Sequence, residues 1–222
     1  MRWVITGANR GIGLALARQL TERGEEVIAT ARNPADAKEL VALGGRVVPL
    51  DVQDDDSVAA FAAALGNESI DVLINNAGMA IRDGLGNLDF DGMKAVFDTN
   101  TVGPLRVLQA VLPQVKSNGG AKVVNITSRM GSIEENDSGG MYAYRMSKAA
   151  LNMAVSVSSV DLKDAGVTVV GIHPGWVKTD MGGDSAQLEV DDSAACILKT
   201  VDGLDLQNTG SFMDRDGSAI PW

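Results

Sequence analysis

One cysteine, Cys196, is too few for an intrachain disulfide, and its place in an apolar helical run suits packing better than chemistry. One histidine, His173, follows a candidate strand; standing alone there it reads as structural and is assigned no role. No stretch concentrates lysine and arginine, and 19 basic residues stand against 29 acidic ones, a net charge of −10. That balance argues against nucleic acid or an anionic membrane as the main partner. No apolar run reaches the length of a membrane span, and the first residues enter a strand pattern at once, leaving no place for a signal peptide. Asp184, Glu189, Asp191 and Asp192 look like a solvated acidic rim, so no metal site is expected. Repeats, linkers and low-complexity tracts are missing as well. The expectation is a soluble, cytoplasmic protein of one domain, residues 1–222, long enough for a substantial core.

What is present is alternation. Short Val/Ile-rich runs at 3–6, 26–30, 46–50, 71–75, 122–127, 167–172 and 210–214 alternate with helix patterns at 12–23, 34–43, 55–65, 90–116, 142–165 and 191–201. Apolar runs without strict polar alternation suit strands buried on both faces. Strand–helix alternation predicts an α/β fold, a single-domain, Rossmann-type, doubly wound parallel sheet of about seven strands with helices on both faces. Gly103-Pro104 predicts a kink or break inside 90–116.

The first run leads into Thr6-Gly7-Ala8-Asn9-Arg10-Gly11-Ile12-Gly13, and a helix pattern follows immediately. Glycines allow a tight turn and close approach to a diphosphate, while a helix N-terminus offers free amides. A plain strand-to-helix turn is the alternative. Position after the first strand of an alternating chain favours dinucleotide binding. The second run ends Ala29-Thr30-Ala31-Arg32-Asn33, without the acid that usually meets the ribose of NAD. Arg32, with Arg10 as a second cation, suits a 2′-phosphate and therefore NADP(H), unless both are ordinary surface arginines. Asp51, closing the third run ahead of Val52, is placed to accept from an adenine amino group. Asn75-Asn76-Ala77-Gly78 closes the fourth.

In Tyr142-Ala143-Tyr144-Arg145-Met146-Ser147-Lys148, Tyr144 and Lys148 are four apart on one helix face. A phenol titrates near pH ~10, and a fixed cation beside it favours the phenolate, bringing it closer to use as an acid or base. Taken alone, the pair also fits an amphipathic helix with a solvated lysine. Tyr142, six before Lys148, faces elsewhere.

Thr6–Gly13, Asp51, Asn75-Asn76-Ala77-Gly78, Asn100, Ser128, Tyr144-x-x-x-Lys148 and Pro174-Gly175 span most of the chain in order. Together they resemble the short-chain dehydrogenase/reductase family, and residues 29–34 and 220–222 are similar to its C-factor and sniffer type of carbonyl reductase. The resemblance implies a catalytic tetrad. Tyr144 would exchange a proton with the substrate oxygen, Ser128 would hold that oxygen, and Lys148 would depress the Tyr144 pKa and bind the nicotinamide ribose. Asn100 would help hold a water linking Lys148 to solvent. Cofactor contacts are implied at Gly7, Asn9, Arg10, Gly11, Ile12, Gly13 and Arg32, at Asp51, Val52, Asn75, Ala77 and Gly78, and at Tyr144 and Lys148. Pro174, Gly175, Val177 and Thr179 complete the set, Thr179 against the carboxamide.

Hydride would come from the cofactor, leaving the protein to supply an acid, an oxygen-holding donor and positioning. The substrate would be a small carbonyl compound or alcohol, and family members often pair through helices matching 90–116 and 142–165. Ser128 and Tyr144 are sixteen positions apart, more than the usual family spacing, and residues 132–140 read as a flexible rim loop. Gly182-Gly183 reads as a mobile point in a short segment, 178–190. The competing function is a nucleotide-sensing or signalling protein on the same fold. An enoyl reductase is disfavoured by the tyrosine–lysine spacing.

Overall fold

The computed structural model describes residues 1–116 and 119–222. Seven parallel strands form one sheet: β1 (Arg2–Ile5), β2 (Glu26–Ala31), β3 (Arg46–Pro49), β4 (Val72–Asn75), β5 (Lys122–Ile126), β6 (Thr168–His173) and β7 (Ser211–Asp214). Their order is β3-β2-β1-β4-β5-β6-β7. The chain runs outward from β1 to β3, returns, and continues outward on the other side from β4. Between β1 and β4 lies the switch point, where open sheets of this kind bind ligands beyond their C-terminal strand ends.

Alternate residues of single strands feed two cores, which explains the unbroken apolar runs. Trp3 and Ile5 of β1 and Ile74 of β4 pack with Leu16 and Leu20 of helix α1 (Gly11–Glu22) on one face. Val4 and Leu73 point the other way, toward Phe61 of a later helix and Val107 and Val155 of two more. In chain order the helices after α1 are α2 (Lys38–Ala42), α3 (Asp55–Leu65), α4 (Phe90–Phe97), α5 (Gly103–Ala110), α6 (Leu112–Lys116), α7 (Tyr142–Leu162) and α8 (Val190–Asp202). Leu40 of α2 and Ile197 and Leu198 of α8 share the core of α1, whereas α3, α5 and α7 cover the opposite face.

One helix expectation is corrected, and the break expected near Gly103-Pro104 is found. Residues 34–43 divide into a 3₁₀ turn, Pro34–Asp36, and the short α2, because Ala37 between them leaves helical geometry (φ −87°, ψ 53°). Residues 90–116 are three helices, and α4 and α5 are joined by a π turn, Asp98–Val102, just ahead of Gly103-Pro104. Pro104 has no N–H to donate to the Asn100 carbonyl one turn back. The helix widens there, and such turns recur at functional sites.

Candidate active site

At the end of β1 the backbone turns through Gly7 at φ +63°. A Cβ at Gly7 would lie 2.9 Å from the Ala77 Cα, and one at Gly13 would lie 2.5 Å from Asn76 Nδ2 and 2.6 Å from the Gly7 carbonyl oxygen. Only glycine permits that crowding. Asn76 donates to the carbonyls of Thr6 (2.9 Å) and Gly7 (3.0 Å), while the Thr6 hydroxyl oxygen accepts from the amides of Asn76 and Ala77. Asn76 therefore ties the glycine loop to β4, a role that reading the motif as a ligand contact does not disclose. Helix α1 starts at Gly11 with neither a side-chain cap nor an acid in its first turn, so its amides face an anion uncontested. Asn9 and Arg10 are exposed, and Ile12 is partly buried against the core.

Arg32, just past β2, is exposed and has no hydrogen bond or ion pair among the described residues. Arg10 instead reaches Asp180 at 2.7 Å. The Asp51 carboxylate accepts from the Gln53 amide at 3.0 Å, and Val52 is packed beneath Gly103. Asn75 does not bring its side chain to the crevice: it is buried in the sheet and donates to Asn125 Oδ1 at 3.0 Å. At Gly78 a Cβ would stand 3.4 Å from Asn100 Oδ1 and 3.8 Å from Lys148 Nζ.

Four side chains meet beyond β4 and β5. Tyr144 and Lys148 project from one face of α7, with Nζ 5.7 Å from the phenol ring centre. Ser128, just past β5, stands within hydrogen-bonding reach of the Tyr144 hydroxyl and accepts the Met130 amide at 3.1 Å. Lys148 is buried, and Nζ donates to the Ile126 carbonyl at 2.8 Å. Burial pushes the Lys148 amine down to about 8. Burial also raises the Tyr144 phenol, an effect partly offset by the Ser128 hydrogen bond. The expected depression of the phenol by Lys148 is not what this burial produces: the direction is upward, with desolvation as its largest cause.

Asn100 sits fully buried in the π turn. Its Oδ1 accepts the Met79 amide (2.8 Å), and Nδ2 donates to the Met79 carbonyl (2.9 Å) and to Ser147 Oγ (3.0 Å). Both amide hydrogens are thus engaged, so the side chain clamps the irregular segment that follows β4 and has no N–H left to hold water. Ser147, its partner on α7, is a contributor that the Tyr–Lys spacing does not indicate.

The start of α7 is held from outside. Met141 caps it in the left-handed region, φ +53°, with no side-chain bond of its own. That conformation costs about 1–2 kcal/mol for a non-glycine residue. Buried Asp83 compensates, accepting the Met141 amide on its carbonyl (3.0 Å) and the Ala143 amide on Oδ2 (3.1 Å). A side-chain acceptor at a helix start contributes about 0.5–2 kcal/mol.

The two loops read as flexible are tied down. In residues 132–140, the amides of Ile133 and Glu134 and the Ser132 hydroxyl all donate to the Trp222 carbonyl. Trp222 stacks on Phe212 at 5.4 Å, and Arg145 grips Gly140 and Ser138. After β6, Gly175 turns at φ +87°, the Pro174 carbonyl accepts from Ser193 at 2.7 Å, and Val177 is bridged to Leu188. Gly182 does not supply mobility there. Its amide donates to Thr179 Oγ1, its carbonyl accepts from the Trp176 indole, and a Cβ would collide with the Val177 carbonyl oxygen. Thr179 reaches over the glycine loop, 3.3 Å from where a Gly11 Cβ would stand. His173 lies beside Asp214, and burial pushes its imidazole down to about 4, so it is neutral at neutral pH. Among the described residues no group of His, Cys, Asp and Glu is arranged to hold a metal, and no helix is long and apolar enough to cross a membrane.

The short chain dehydrogenase family matches residues 2–189. Over 164 residues, 73% of this chain and 99% of that protein, the sequence is 48% identical to the C-signal of Myxococcus xanthus. The carbonyl reductase Sniffer of D. melanogaster superposes with a TM-score of 0.95 at 36% identity, covering 100% of this chain and 99% of that one. An NADPH-bound carbonyl reductase from chicken fatty liver superposes with a TM-score of 0.94 at 37% identity, covering 100% and 98%.

Proposed function

Because the chain belongs to the short-chain dehydrogenase family, we propose that it is an NADPH-dependent carbonyl reductase, converting a ketone or aldehyde reversibly to an alcohol in the cytoplasm. The observation that carries this reading is the convergence of Tyr144 with buried Lys148 and Ser128 beyond the ends of β4 and β5. The glycine loop fits a diphosphate, since its crowding excludes side chains at Gly7 and Gly13 and its helix amides are uncapped. Arg32 is free for a 2′-phosphate. Arg10 can join it, because its bond to Asp180 is exposed at both ends and worth about 0–1 kcal/mol, whereas a hydrogen bond to a charged group is worth roughly 1.5–3. Asp51, Val52, Ala77 and Gly78 would add cofactor contacts at the ends of the third and fourth strands, and Pro174, Gly175, Val177 and Thr179 would add those after β6.

NADPH, when bound, supplies hydride to the carbonyl carbon. Ser128 would hold the substrate oxygen while Tyr144 gives it a proton. Lys148 would bond the ribose and steady the phenolate left behind, and Asn100 would hold the Met79 segment beside it. Exposed Leu85, Ile133, Trp176 and Met181 lie on the segments that follow β4, β5 and β6 and give the mouth an apolar character. For assembly we favour a homodimer through α7, whose outer face exposes Met146, Met153, Val157 and Val160.

The test is NADPH consumption over aldehydes, aryl ketones, diketones and keto esters, with turnover of at least one class expected. A second reading, a signalling protein on this fold, is favoured by the likeness to C-signal. Turnover of no class, with NADPH still bound, would support it instead.

A further inference from the structure

Ser128 reaches Tyr144 from a different element, so something must hold the two hydroxyls in register. The turn that carries Ser128 runs from Thr127 to Gly131, and a single side chain of α7 grips both ends of it. Asn152 lies two turns beyond Tyr144 and one beyond Lys148, and it is buried. Its Oδ1 accepts from the Thr127 hydroxyl at 2.6 Å, and its Nδ2 donates to the Gly131 carbonyl at 3.4 Å. The turn is pressed close enough for these bonds because Gly131 has no side chain: a Cβ there would lie 2.8 Å from the Lys148 carbonyl carbon and 2.9 Å from its Cβ. On the other side, a Cβ at Gly171 of β6 would stand 3.2 Å from Thr127 Cγ2 and 3.8 Å from Asn152 Oδ1, so glycine leaves the pair its room.

We propose that Asn152 is a positioning residue that fixes the Ser128 hydroxyl against that of Tyr144. It touches neither, and it acts through the backbone on both sides of Ser128. The proposal rests on the oxidoreductase reading for its catalytic consequence, but not for its geometry.

The chain has two tyrosines, so in a Tyr142→Phe background the ultraviolet tyrosinate titration reports Tyr144 alone. The charged group facing Tyr144 is Lys148, which every variant retains. Asn152→Ala and Ser128→Ala should each raise the Tyr144 midpoint, and the double variant should raise it no further. With NADPH and the best aryl aldehyde of the panel, Asn152→Ala should lower kcat by up to ~10²-fold, as a misplaced catalytic group does, while NADPH affinity holds. In the Ser128→Ala background the same substitution should cost little. An unchanged Tyr144 titration, or losses that multiply in the double variant, would overturn the proposal. If Asn152→Ala does not fold, Thr127→Val removes the 2.6 Å bond and is judged by the same two readouts. If the parent turns over no carbonyl, the functional reading fails, yet the titration still decides the role of Asn152.

Discussion

Tyr144→Phe should fold, bind NADPH as the parent does, and reduce carbonyls at least ~10²–10⁴-fold more slowly, the loss typical of a missing general acid. The substitution keeps the ring and removes the hydroxyl that Ser128 bonds. Lys148→Ala should impair turnover and also weaken cofactor binding, because Lys148 is assigned both the ribose and the phenol. It should lower stability too, since the Ile126 carbonyl loses its partner, at about 1–3 kcal/mol for an unsatisfied buried group. Tyr142→Phe is the control on another face of α7 and should keep most activity. Turnover and NADPH binding measured separately on the three variants decide the matter. A dead Tyr142→Phe beside an active Tyr144→Phe would reassign the acid, and three normal enzymes would reduce the pair to a helix face.

The second large effect concerns cofactor choice. Arg32→Ala should raise the KM for NADPH by roughly 10- to 150-fold and leave that for NADH nearly unchanged. The figure follows from losing one charge-assisted hydrogen bond, about 1.5–3 kcal/mol, at ~1.4 kcal/mol per decade. Arg32 spends none of its charge elsewhere among the described residues. Arg10→Ala should act in the same direction and less strongly, because part of that side chain's bonding already goes to Asp180. Steady-state kinetics with both cofactors tests this, and equal losses with NADH and NADPH would show that Arg32 does not read the phosphate.

Much of this was legible in the sequence because it depends on local order. Apolar runs such as Val123-Val124 mark strands whichever way each residue faces, and both faces proved buried. The spacing of Tyr144 and Lys148 places them on one helix face, and it does. What spacing cannot convey is solvent. Partial burial of the phenol acts on it in the upward direction, and no count of residues between the two side chains contains that information. Asp83 was equally out of reach: it caps a helix sixty positions away, from a segment with no periodicity. Gly182 was misread for a related reason, since glycine marks both loose chain and crowded chain, and only the Val177 carbonyl distinguishes them.

The strand order bears on how the chain holds together as it is made and heated. Every neighbouring pair in the sheet is consecutive in sequence except β1 with β4, where Trp3 lies opposite Val72. The sheet is therefore two locally wound halves joined along one seam, and closing that seam is the long-range step of assembly, the kind that slows folding. Asn76, Thr6 and the glycine loop stitch its upper end. A dinucleotide bound across the switch point would bridge both halves. Bound only to the closed form, it would shift the unfolding equilibrium by mass action. The groove that positions the cofactor is in that sense also the hinge line of the fold, and occupancy would act as a fastener across it.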